Sequence, residues 1–372
     1  MRFRLLTLLC LLSLAVACAN QPPPSPIPTV APLAQLPTVT ATTTPGQTAT
    51  ATASATASPT LTLTSTQTAT ATASPTATLT PSATPNPYLD YTIDALAARQ
   101  YGGGELEVVD LLHETETWKR YLIRYPSDGL QIYGFLSVPN EGYKFPVAIV
   151  VHGYITPSDY KVEAYTTRYT DALVEAGYLV IHPNLRNFPP SDEGDITFRV
   201  GYANDILNLT AIILEQSQIS TSSLRRADAN QIHIMGHSLG GGAALRAITV
   251  WPEPFRAAVL YGSMSGDEQQ NYEQIQQWTD GALGDFELLA SPEMLAAISP
   301  ADHLDRIQAA VSIHHSYEDT VVPPHWSEQT CNQLQNLGHP VECFFYNLQP
   351  HTFRGDGDAL FMARMIAFFD YW

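Results

Sequence analysis

The stretch that most constrains this chain is Gln231–Ile248, QIHIMGHSLGGGAALRAI. It reads as a short buried strand, a turn Gly236-His237-Ser238-Leu239-Gly240, and an alanine-rich helix. A Gly-x-Ser-x-Gly pattern acquires physical meaning in that strand–turn–helix context. A serine at so sharp a turn is held in a strained backbone conformation with its hydroxyl clear of the sheet. Glycines at 236 and 240 let neighbouring backbone pass where a side chain would collide. Leu239 then opens the helix, and its free N–H can point at a developing oxyanion. Without the flanking strand and helix, the same five residues would be an ordinary glycine-rich connection.

The amino-terminal quarter has a different character. Arg2 and Arg4 precede an apolar run too short to span a bilayer and stop there, so residues 1–18 read as a secretory signal peptide. The run ends Leu14-Ala15-Val16-Ala17-Cys18, which resembles a bacterial lipobox and implies lipid attachment at Cys18. Ala15 stands where leucine is usual, and an ordinary signal peptide is the alternative. Residues 19–87 contain no charged and no aromatic side chain, only a Thr/Ala/Pro/Ser-rich text with an imperfect repeat. Such residues bury too little apolar area to offset the entropy of ordering, so this segment is expected to be a disordered tether. As a flexible coil its ends would lie about 45–50 Å apart.

Charge restricts the partners. The formal net charge is −18, and loss of Arg2 and Arg4 with the leader makes it more negative still. So acidic a surface repels nucleic acid and anionic head groups, so neither is expected as a partner. Contact with the membrane is expected only through the N-terminal lipid, and the location is expected to be extracytoplasmic, anchored or secreted. Of four cysteines, only Cys331 and Cys343 lie beyond the leader. In an exported protein such a pair invites a disulfide, with two buried thiols as the alternative.

From residue 88 to 372 the composition is that of one globular domain. Strands are expected near 106–112, 118–125, 130–138, 146–151, 178–182, 231–235, 256–261, 310–314 and 341–346. Helices are expected near 166–176, 201–216, 239–249, 326–337 and 357–372. Continuous apolar runs such as Pro146–Val151 suit strands buried on both faces. The alternation predicts an α/β fold, a mostly parallel doubly wound sheet with helices on both faces. Residues 262–307 break that rhythm and are expected to form a small helical lid, or else a structural insertion away from the pocket.

An alcohol needs a base to take its proton and an acid to orient that base. In open α/β sheets such groups gather at the carboxyl ends of strands. His351 follows strand 341–346 and is the expected base. Asp319 follows strand 310–314 and is the expected acid, with Glu318 and Asp267 as rivals. His339 precedes its strand and should sit at the wrong end, while His314 and His315 read as structural. A second oxyanion donor is expected from the amide of Tyr154 in Val151-His152-Gly153-Tyr154, with His152 bracing the loop. No phosphate-cradling loop or metal-ligand motif stands out, so no cofactor and no metal are expected.

The region from about Tyr125 onward resembles the catalytic domain of the prolyl oligopeptidase family and related esterases, within the α/β-hydrolase superfamily. The residues that carry the likeness are Ser127-Asp128-Gly129 with Ile132-Tyr133-Gly134, His152-Gly153, Gly236–Gly241, Ser299-Pro300, Asp319 with Val322-Pro323, and His351-Thr352-Phe353. The resemblance implies an α/β-hydrolase fold and acyl-enzyme chemistry at Ser238, Asp319 and His351. Some forty ordered residues before the match leave no room for a peptide-gating propeller. The loop Asn184-Leu185-Arg186-Asn187 lacks the Arg-Gly pair common in such relatives. The expected substrate is therefore a small ester or a short peptide. A deacylating esterase of cell wall or glycan, and a non-catalytic binding protein on the same scaffold, remain as alternatives.

Overall fold

The computed structural model describes residues 86–372. The expected signal peptide, Cys18 and nearly all of the tether lie outside the described residues.

Nine strands form one sheet among the described residues: β1 Glu107–Glu114, β2 Trp118–Ser127, β3 Leu130–Pro139, β4 Phe145–Val151, β5 Leu179–Pro183, β6 Ala227–His237, β7 Phe255–Tyr261, β8 Ala310–Ser316 and β9 Val341–Tyr346. Their order is β1-β2-β3-β5-β4-β6-β7-β8-β9. The β1–β2, β2–β3 and β3–β5 pairings are antiparallel, and every pairing from β5 through β9 is parallel. The Asp128-Gly129 turn joins β2 to β3 with positive φ at both residues (51° and 83°), the backbone twist that a two-residue hairpin requires.

The helices are α1 Ile93–Ala97, α2 Thr167–Glu175, α3 Val200–Gln216, α4 Leu239–Val250, α5 Glu268–Trp278, α6 Asp285–Leu288, α7 Pro292–Ile298, α8 Pro324–Asn336 and α9 Gly355–Tyr371. They cover both faces of the sheet. In β4, Val147, Ile149 and Val151 enter one apolar core with residues of α3 and α4, while Ala148 and Val150 enter a second with residues of α2 and α9. This two-sided burial explains why β4 is a continuous apolar run rather than an alternating one.

Strand β6 starts four residues earlier than the apolar pattern suggests. Ala227 and Asp228 pair with Phe145 and Pro146, and a register shift then brings Ile232 opposite Val147. The insertion between β7 and β8 contains α5, α6 and α7, and its Tyr272, Leu295 and Ile298 join the first core. Its first helix is clamped underneath: the buried Glu268 carboxylate accepts from Arg199 at 2.5 Å and also from Arg246 of α4. Cys331 of α8 and Cys343 of β9 are joined in a disulfide with Cα atoms 6.4 Å apart.

Candidate active site

Strands β4, β6, β7, β8 and β9 run parallel, so the loops after them open at one edge of the sheet. Those loops contain His152–Tyr154, Ser238, Gly262, Asp319 and His351.

Ser238 adopts φ 57° and ψ −118°, a conformation L-residues rarely hold, and is 9% exposed. The reason lies in the local packing. A Cβ at position 236 would come within 2.2 Å of the Gly240 carbonyl oxygen, and one at 240 within 2.5 Å of the Val151 and His152 oxygens. Only glycines let β6 turn directly into α4 under β4. The serine backbone is then pinned on both sides: its N–H donates to the Tyr261 carbonyl at 2.9 Å, and its own carbonyl accepts from Gly241, Gly242 and Met264. Its hydroxyl makes no hydrogen bond among the described residues, His351 included.

Asp319 and His351, far apart in sequence, are in contact. His351 Nδ1–H donates to Asp319 Oδ2 at 2.6 Å. The same oxygen accepts from His315 Nε2–H at 3.1 Å, while Oδ1 accepts the Val321 and Val322 amides at 2.8 and 3.0 Å. Burial by itself would raise the Asp319 pKa; the hydrogen bonds from His315 and His351 outweigh it and hold the carboxyl well below the usual range. Gly262, directly after the Tyr261 carbonyl that receives Ser238, has φ 50°; a Cβ there would lie 3.3 Å from the His351 ring and 3.6 Å from Asp319 Oδ2. Ser238 and His351 thus abut the same Tyr261-Gly262 peptide.

The Tyr154 amide has no hydrogen-bond acceptor among the described residues, and neither has that of Leu239, the first residue of α4. His152 Nδ1 lies 2.7 Å from the Gly153 carbonyl, and its Nε2 lies 2.7 Å from that of Asn184. Its ring braces the loop, as the sequence suggests. Turning the Gly153 carbonyl toward that ring aims the following Tyr154 N–H the other way.

The rivals are occupied elsewhere. Glu318 accepts the Leu348 amide at 2.7 Å, and Asp267 caps α5 by accepting the Gln269 and Gln270 amides. His339 contacts the Ala309 carbonyl, before β8, at the opposite end of the strands. His314 is buried between Ser312 and Tyr346. His315 is more than a structural histidine, because it holds the acid. Sequence reasoning also missed Tyr165 and His237, which link the loops of the site. Pairing polar partners this far apart along the chain leaves no local signal; the adjacency of His237 to Ser238 was the one available hint.

A mostly parallel sheet with a strained serine at the strand-to-helix turn is the α/β-hydrolase fold. Residues 214–372 match the prolyl oligopeptidase family. Acetylxylan esterase A of Aspergillus awamori is 27% identical over 211 residues, which are 54% of this chain and 65% of that protein. Acetyl xylan esterase 1 of a Thermoanaerobacterium species superposes with a TM-score of 0.55 at 18% identity, covering 76% of this chain and 94% of that one. The acylaminoacyl peptidase of Pyrococcus horikoshii superposes with a TM-score of 0.52 at 23% identity, covering 69% and 42%. The relatives are thus both esterases and peptidases, on one shared fold.

Proposed function

We propose that this protein is a serine hydrolase that cleaves a carboxylic ester or a short peptide bond through an acyl-enzyme intermediate. In this reading His351 Nε2 takes the Ser238 proton as the Oγ attacks the carbonyl carbon. Asp319 orients His351 and stabilises the imidazolium that forms. The Tyr154 and Leu239 amides receive the oxyanion, each contributing about 3–4 kcal/mol to transition-state stabilisation. His351 then returns the proton to the leaving group, and water repeats the sequence to release the acid. The observation that carries the reading is the 2.6 Å His351–Asp319 hydrogen bond, together with Ser238 held at positive φ at the turn after β6.

The identity to a curated acetylxylan esterase supports an ester as the first substrate class to test. Helices α5–α7 are proposed to border the entrance as a lid. The leader and the Thr/Ala/Pro/Ser-rich segment support export and tethering, with lipid on Cys18. No helix among the described residues is long and apolar enough to cross a membrane.

The decisive experiment is labelling with a fluorophosphonate probe, followed by assays on p-nitrophenyl acyl esters and short peptide amides. Labelling of the native chain and its loss in Ser238→Ala are expected. A folded protein that takes no label, or a Ser238→Ala variant with full activity, would overturn the reading.

A further inference from the structure

A chain of hydrogen bonds crosses behind the site and joins two of its loops. The Gly153 amide donates to Tyr165 Oη at 2.8 Å; Tyr165 Oη lies 2.5 Å from His237 Nδ1; His237 Nε2 lies 3.2 Å from the His351 carbonyl oxygen. Both ends of this chain are one-way groups. A peptide N–H can only donate, and a peptide carbonyl can only accept. Tyr165 already receives the Gly153 proton, so its single O–H must go to His237 Nδ1. His237 then accepts at Nδ1 and carries its only proton on Nε2, which donates to His351. No other arrangement satisfies all four groups, since an imidazolium at position 237 would leave the Tyr165 O–H without an acceptor among the described residues.

We propose that Tyr165 is a positioning residue that, through a neutral His237, fixes the oxyanion loop and the His351 loop relative to one another. The proposal rests on the hydrolase reading above. Two further observations support it. A Cβ at Gly153 would lie 2.8 Å from the Tyr165 hydroxyl, 3.0 Å from Ser238 Cβ and 3.2 Å from His237 Nδ1, so the three groups converge on one point of the oxyanion loop. The His237 and His351 rings lie 4.6 Å apart, where a second positive charge would oppose the imidazolium that catalysis needs at His351. Burial, with the neighbouring His351, pushes the His237 pKa well below its ordinary value, as a neutral link requires.

Losing the chain leaves Ser238, His351 and Asp319 present but lets the Tyr154 amide and the His351 ring drift independently. Misplacement of that kind acts on the transition state more than on the bound substrate. The test uses the full chain with p-nitrophenyl acetate, rates being counted per fluorophosphonate-labelled site so that misfolded protein is excluded. Tyr165→Phe and His237→Phe are each expected to lower kcat by about 10-fold or more with KM within about 2-fold, and the double variant to be no slower than the worse single. Nitrogen-15 NMR of histidine-labelled wild-type protein is expected to show His237 neutral with its proton on Nε2. Should His237→Phe fail to fold, Tyr165→Phe and the tautomer still decide. The proposal is overturned if either folded single variant keeps kcat within about 2-fold of wild type, if the two effects multiply, or if His237 carries its proton on Nδ1. Wild-type protein that neither labels nor turns over would defeat the hydrolase reading instead, and the tautomer would still report on the chain.

Discussion

Asp319 Oδ2 is shared by two histidines, His351 at 2.6 Å and His315 at 3.1 Å. His315 is itself fixed, since its Nδ1 accepts from Ser327 Oγ at 2.6 Å. The Asp319 carboxylate is therefore held from behind by His315 as well as from in front by His351. Asp319→Asn would keep the shape but set an amide between donors that all require an acceptor. It is expected to lower kcat about 10³–10⁴-fold for any substrate the protein hydrolyses. His315→Phe removes one of four donors to the carboxylate and should cost far less, about 10-fold. Turnover per labelled site compares the two; a His315→Phe loss as large as that of Asp319→Asn would mean that the rear histidine is more than a support.

The elbow under Ser238 depends on glycine for reasons of space. Gly240→Ala would press a methyl carbon to 2.5 Å from two backbone oxygens, those of Val151 and His152. Backbone cannot swing aside as a flexible side chain can, so β4 and α4 must separate. A loss of about 2–3 kcal/mol of stability is expected, near the upper end for overpacking. Urea unfolding of the variant checks it, and activity should fall further than stability because the displaced residues include the oxyanion loop.

Much of the fold was legible because its signals are local. A continuous apolar run marked β4, Gly177 at φ 98° ended the turn after α2, and the order of Ser238, Asp319 and His351 followed from the loops after β6, β8 and β9. The start of β6 was not legible, since Ala227–Asn230 carry no apolar alternation and pair only because β4 lies beside them. Helix α1 was missed for its brevity: one turn, capped by Thr92 and held by burial of Ile93 and Leu96. The site's supports were hidden more deeply. Tyr165 meets His237 across 72 residues and His237 meets His351 across 114, so no window of sequence contains either pair.

The insertion between β7 and β8 is tied to the domain by a buried carboxylate between two guanidinium groups. Glu268 is 1% exposed, Arg246 2% and Arg199 7%. Glu268→Ala would leave two buried cations facing each other with no anion, which costs about 3–5 kcal/mol when one partner of a buried pair is removed. The expected readout is a large drop in the urea midpoint together with new protease cleavage between α5 and α7. Glu268→Gln should fall between the variant and wild type, since it restores an acceptor but not the charge. If α5 stays protected in Glu268→Ala, packing by Tyr272, Leu295 and Ile298 holds the insertion without the ion pair.

Acid stability follows from five buried histidines. Burial is the first cause in each case: it lowers the pKa of His152, takes His182 and His237 well below the ordinary 6.5, and brings His233 to about 4 and His314 to about 3. Burial favours the neutral form of each in the folded state, a bias that unfolding removes. Their depressed folded values mean that the stabilisation is complete above 6.5 and is lost as pH falls from there toward 4. Each group contributes about 1.4 kcal/mol per pH unit across that window. Asp319 acts in a separate, lower window, because its depressed carboxyl loses its contribution only as pH falls below 3.8. At pH 5 unfolding should therefore take up protons, measurable by calorimetry in buffers of different ionisation enthalpy. Near pH 8 the same measurement should give almost none. No net uptake at pH 5 would mean that these imidazoles reach solvent, and the packing described around β4, β6 and β8 would have to be looser than it is here.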